Sequence, residues 1–181
     1  MAAGVALSSA SCSSAGPAPR AFINATLEGN AAGTCTFGDM PWVNIGTDDS
    51  ETGAAVSGTN GVTVTCTVSP SGSGFQVTAS AGNATSALVI RGLLSPTAGA
   101  TTEQPNITAS FTSTLGSYSS GGPTCTVDFN ANSSETNGTG VMGVAAGRVW
   151  GNITCQSLSA ANGQQSVCEG VAEFKFEDCG S

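Results

Sequence analysis

The sequence predicts an all-β fold: an antiparallel β-sandwich of about eight to ten short strands, stapled by disulfides, with little or no helix. Three observations carry that expectation. From Ala21 onward, apolar residues recur at every second position, the period of a strand with one buried face. Glycine, proline, asparagine and serine interrupt these runs at short intervals, as tight turns require. Seven cysteines occur without a single histidine, a composition that suits covalent bridges better than metal ligation.

The elements follow in order. Residues 1–20 read as the remnant of an export signal and a disordered tether. The run Met1 to Ser11 is apolar and small like the end of a leader, and Ser13-Ser-Ala-Gly-Pro-Ala-Pro-Arg20 cannot bury enough surface to order itself. Residues 21–181 then make a single β-sandwich domain, long enough to close one core. Its first strands are Phe22 to Leu27, Thr34 to Phe37 and Trp42 to Ile45. The clearest is Val62-Thr-Val-Thr-Cys-Thr-Val68, where Val62, Val64, Cys66 and Val68 share one face and threonines the other. Ser69 to Gly74 turns it into a second strand with Phe75, Val77 and Ala79 inward. Weaker strands are Ala87 to Leu94, Ile107 to Thr112 and Thr124 to Phe129. No stretch of about ten residues has helical apolar spacing free of glycine.

At the C-terminus, Val149, Gly151, Ile153 and Cys155 share one face, as do Cys168, Gly170, Ala172, Phe174 and Phe176. Pairing Cys155 with Cys168 sets Ile153 opposite Gly170 and Gly151 opposite Ala172, small residues against larger ones. That register predicts a Cys155–Cys168 bridge; among the fifteen connectivities that six cysteines allow, Cys35–Cys66 and Cys125–Cys179 are the expected remaining pairs, with the alternatives open. Cys12, apart from the rest, is the odd thiol.

Four basic residues against twelve acidic ones give a net charge of −8, which repels phosphate backbones and argues against nucleic acid as a partner. Charged residues are only 9% of the chain, so its polar surface rests on hydroxyls and amides, a pattern of exported β-proteins. Bridged cysteines imply an oxidising, extracytoplasmic compartment.

Few groups suit catalysis. Without histidine, histidine-dependent triads are excluded, and the bridged thiols are spent. A carboxylate pair remains. Asp48, Asp49 and Glu51 form the densest acidic cluster and a weak calcium candidate, but the spacing lacks the calcium-loop pattern and a solvated loop is the simpler reading. Glu169, Glu173 and Glu177 alternate with Phe174 and Phe176 and read as the wet side of a sheet. Trp150, flanked on its face by Arg148 and Asn152, suits stacking on a sugar ring; packing at a sheet edge explains it equally. Tyr118, in a Ser/Gly-rich stretch, is a possible ligand contact or a loop anchor. Glycosylation sequons begin at Asn24, Asn83, Asn106, Asn132, Asn137 and Asn152, and abundant Asn, Ser and Thr account for them. No cofactor and no metal is called for.

The Ser-rich tract after Cys12, the Gly61-Val-Thr-Val-Thr-Cys66 strand, and the ending from Gly147-Arg-Val-Trp-Gly-Asn-Ile-Thr-Cys155 to Phe174-Lys-Phe-Glu-Asp-Cys179 resemble the small β-rich lipoproteins of bacterial cell envelopes. The likeness is one of architecture. It implies that Cys12, after Ala10 and Ser11, accepts a lipid, although Ser9 stands where that pattern has an aliphatic residue. The expected function is a non-catalytic exported or lipid-anchored envelope protein, a binding or structural module whose partner is an envelope protein or glycan and which meets the membrane only through its anchor. Two alternatives stand beside it: a carboxylate-dependent glycan hydrolase, which needs two acids across a cleft, and a self-assembling surface subunit that uses a β-edge.

Overall fold

Alternation of small or β-branched residues with hydroxyls dictates the local structure, and the computed structural model is all-β, with no helix among the described residues. Those residues are 16–29, 34, 35, 37, 39–48, 52–97, 101–130, 141–161 and 166–181. The strands among them are β1 (Arg20–Glu28), β2 (Met40–Ile45), β3 (Ala55–Val56), β4 (Thr63–Ser71), β5 (Gly74–Gly82), β6 (Ala87–Leu94), β7 (Gln104–Ser113), β8 (Gly116–Ser119), β9 (Cys125–Asp128), β10 (Gly143–Ala145), β11 (Arg148–Ala160) and β12 (Val167–Glu177). They join one hydrogen-bonded sheet in the order β2-β1-β12-β11-β8-β7-β6-β5-β4, with β3, β9 and β10 pairing off that path.

Sequence-adjacent strands mostly pair as hairpins, and the long-range step is β1 against β12. The sheet curls over itself. After β12, the Val68 N–H donates to the Gly180 carbonyl at 2.8 Å and the Gly180 N–H to the Cys66 carbonyl at 3.0 Å, so the chain's end closes on the far edge strand β4. Side chains from both ends of the path, including Ile23, Leu88, Ile90, Phe111, Ile153 and Phe174, fill one core.

The expected strand positions hold for β1, β2, β6, β7 and β9. The β4–β5 hairpin differs in its turn: β4 continues through Pro70 to Ser71, opposite Gly74, leaving only Gly72 and Ser73 between the strands. An edge strand tolerates proline because its missing N–H faces away from the ladder. Gly72 has φ +60°, the left-handed conformation such a tight turn needs. Thr34, Cys35 and Phe37, expected in a strand, join no ladder. Cys35 is tied to Cys168, and the Thr34 hydroxyl bonds the backbone of Val167 at 3.3 Å. β3 and β10, of two and three residues, are too short for a period-two signal, and β8, Gly-Ser-Tyr-Ser, has only one apolar side chain to carry it.

All six cysteines outside the N-terminal stretch are bridged, with partners other than those the C-terminal register suggested: Cys35–Cys168, Cys66–Cys179 and Cys125–Cys155. The Cys155–Cys168, Cys35–Cys66 and Cys125–Cys179 pairs do not form. Cys155 lies opposite Gly170, Ile153 opposite Ala172 and Gly151 opposite Phe174, and a bulge before Leu158 then places Leu158 opposite Cys168. This is a two-residue slip from the expected register, and every side chain keeps its face because the period is also two. Packing selects it. A Cβ at Gly170 would lie 2.3 Å from Leu158 Cδ1 and one at Gly151 would lie 2.7 Å from the Asp128 carbonyl oxygen, so these positions accept neighbours that only glycine clears. Cys155 instead meets Cys125, one step beyond the Thr154–Thr126 pair, with Cα atoms 4.3 Å apart.

Candidate functional site

Registers that fix the core also fix what the opposite face displays. Asn44 faces Asn24, Asn24 faces Glu173, Glu173 faces Asn152 and Asn152 faces Asp128, so one polar side chain from each of β2, β1, β12, β11 and β9 forms a continuous row across the sheet. Next to it run Thr26, Val171, Thr154 and Thr126. Asn24, Thr26, Asp128, Asn130, Asn152 and Glu173 line an open cleft of about 340 Å³. No lysine or arginine lines it.

The row is ordered by its own hydrogen bonds. Asn152 Nδ2 donates to Asp128 Oδ1 at 3.3 Å and to the Asn130 carbonyl at 2.8 Å, which turns its amide oxygen away from Asp128. Asp128 Oδ1 also receives the Asn130 N–H at 2.9 Å. Asn24 is exposed at mid-strand. Such an arrangement offers carboxylate and amide oxygens and amide N–H groups across adjacent strands spaced about 4.8 Å apart.

Glu173 departs from the expected wet side of the sheet: it is 8% exposed, and its Oε1 accepts the indole N–H of Trp150 at 2.9 Å. Glu169 and Glu177 are half-buried. Trp150 is 5% exposed, with Lys175 Nζ 5.0 Å from its ring centroid and Lys175 also paired to Glu177 at 3.3 Å. The indole is therefore not an open stacking platform for a sugar; it packs beside the cleft and orients Glu173. The face parity read from the sequence holds, but parity does not specify coverage.

The remaining candidates are dispersed. Tyr118 lies in β8 rather than a loop, 2% exposed, with its hydroxyl 3.3 Å from Ser166 Oγ and its ring edge-on to Phe37 and Trp42. It is core, not a ligand contact. Arg148 is exposed and donates to the Val141 carbonyl at 2.8 Å. Asp48 is exposed in the loop after β2, while Asp49, Glu51 and Cys12 lie outside the described residues. Among the described residues no group of three or more Cys, Asp or Glu is placed to hold a metal ion. Glu28 faces Glu169 at the end of the β1–β12 ladder; partial burial, then the carboxylates of Asp39 and Glu169, hold its pKa above the usual glutamate value.

Sequence reasoning missed the row because Asn24, Asp128 and Asn152 are ordinary outward residues of separate strands. The available signal was one amide or acid at an outward-parity position in each of five strands, and only the registers align them.

No family model, no curated protein and no solved structure matches the chain. Three intramolecular disulfides indicate an oxidising, extracytoplasmic location.

Proposed function

We propose that this protein is a non-catalytic module of the cell envelope or exterior that binds a neutral glycan in the cleft between Asn24 and Asp128. The observation that carries this reading is the five-strand polar row beside that cleft, with two carboxylates and no cation lining it. Planar carboxylates and amides suit vicinal sugar hydroxyls, whereas an anionic ligand would meet Asp128 and Glu173 unfavourably. A rigid sheet braced by three bridges holds these groups in place without a ligand. Cys12 is the proposed lipid acceptor, with the following Ser-rich residues as tether to the membrane surface; the intact mass of the protein isolated from its native envelope tests this, and an unmodified Cys12 rejects it.

Calorimetric titration with neutral oligosaccharides of glucose, mannose and N-acetylglucosamine tests the binding reading. Saturable binding to at least one of them is expected, with at least a tenfold loss in Asn24→Arg, which places a long cation in the cleft from an exposed position. Absence of binding across the panel, or binding untouched by that change, rejects it.

A second reading, a carboxylate-dependent glycan hydrolase, is favoured by Asp128 and Glu173 lining one cleft two strands apart, roughly 10 Å between backbones. Against it, Oε1 of Glu173 and Oδ1 of Asp128 already accept hydrogen bonds from Trp150, Asn152 and the Asn130 amide. Release of reducing ends from a bound oligosaccharide, abolished in Asp128→Asn, would favour the hydrolase over the binding module.

A further inference from the structure

A separate stretch of the outer face carries the opposite chemistry. On β6, β7 and β8, Arg91 stands opposite Thr108, and Ser110 opposite Ser119, with the turn Gly121-Gly122 beside them. These residues line an open concavity of about 440 Å³, with no aspartate or glutamate in its lining among the described residues.

The four basic residues of this chain are not equivalent. Arg20 is paired to Asp178 at 2.9 Å, Lys175 to Glu177 at 3.3 Å, and Arg148 donates to the Val141 carbonyl. Arg91 is exposed, and among the described residues its guanidinium has neither an ion pair nor a hydrogen bond. In a protein of net charge −8, it is an arginine that no carboxylate pairs with among the described residues.

Its surroundings are donors. Ser110 and Ser119 make no side-chain hydrogen bond among the described residues, and the Gly121 and Gly122 N–H groups likewise have no acceptor there. Gly121 takes φ +63°, a conformation in which successive N–H groups can converge on one anion. A guanidinium fork beside free hydroxyls and free amides matches an oxyanion carried on a hydroxylated scaffold.

We propose that this concavity is a second binding site, for an acidic sugar unit whose carboxylate or sulfate pairs with Arg91 and whose hydroxyls meet Thr108, Ser110 and Ser119. It lies on strands that do not line the Asn24–Asp128 cleft and does not depend on glycan binding there.

Titration of the full chain with polygalacturonate, dextran sulfate and neutral dextran, each at low and at high salt, tests the site. Binding to one or both polyanions is expected, weakened by salt, and any binding of neutral dextran should be unchanged in Arg91→Gln; preference between the two polyanions identifies carboxylate or sulfate as the partner. Arg91→Gln should weaken polyanion binding at least tenfold, whereas Arg148→Gln, which removes an exposed arginine elsewhere, should leave it within twofold. Thermal unfolding of both variants at the wild-type midpoint separates lost binding from lost structure. No polyanion binding, equal loss in the two variants, or polyanion binding insensitive to salt would overturn the proposal.

Discussion

Glu173 and Trp150 lie on neighbouring strands and are joined by an indole N–H to carboxylate bond of 2.9 Å, although each is more than nine-tenths buried. A hydrogen bond shielded from solvent is expensive to break, because the buried acceptor cannot recover the lost donor from water. Trp150→Phe, which stays aromatic but deletes the N–H together with the five-membered part of the indole, should cost at least about 1–3 kcal/mol. Urea unfolding measures it, and a change within error would mean that the bond adds nothing to the fold.

The Cys66–Cys179 bridge ties β4 to the end of the chain across 113 residues of sequence. Replacing both cysteines by serine should cost roughly 3–4 kcal/mol, mainly through the freedom returned to the unfolded chain. It should also raise hydrogen exchange at the Val68 and Gly180 amides, which bond across that junction. Protection unchanged at both amides would show that the tail holds β4 without its covalent tie.

Disulfide mapping of the unreduced protein should recover peptides joining Cys35 to Cys168, Cys66 to Cys179 and Cys125 to Cys155. Recovery of a Cys155–Cys168 peptide would contradict the β11–β12 register, since Cys155 lies opposite Gly170.

Gly151→Ala should destabilise by about 1–3 kcal/mol, the usual cost of overpacking. Its Cβ would sit 2.7 Å from the Asp128 carbonyl oxygen and 3.0 Å from the Phe129 ring, and a backbone atom in a ladder yields less readily than a side-chain tip. Thermal unfolding reads the effect, and a neutral result would mean that β9 can move away from β11 at little cost.

Glu28 should make stability depend on pH. Its folded-state pKa is raised by partial burial and by Asp39 and Glu169, so its contribution is fully present below the ordinary glutamate range and is lost as pH rises through the raised value. Glu28→Gln should therefore stabilise the protein at neutral pH by roughly a few tenths of a kcal/mol, solvent screening keeping the effect small. Unfolding curves of both proteins should converge as the pH falls below the ordinary glutamate range; a constant difference across pH would assign the gain to something other than charge.

Strand identity, face and the oxidised state of the cysteines were legible in the sequence, because each is set by local chemistry: alternation within a strand, turn formers between strands, thiols without histidine. Thus Val64, Cys66 and Val68 turn inward together, as do Phe174 and Phe176. Which strands meet, and in what register, was decided only by the tertiary structure. A slip of two residues preserves every face, so alternation cannot separate Cys155 opposite Cys168 from Cys155 opposite Gly170; the volumes of Leu158, Phe111 and Phe129 around two glycines can. The polar row from Asn44 to Asp128, the burial of Trp150 and Tyr118, and the three cysteine partnerships all depend on those long-range registers. Periodicity encodes the direction a side chain faces, while its neighbours are fixed by packing between segments that, across the three bridges, lie 30 to 133 residues apart in the chain.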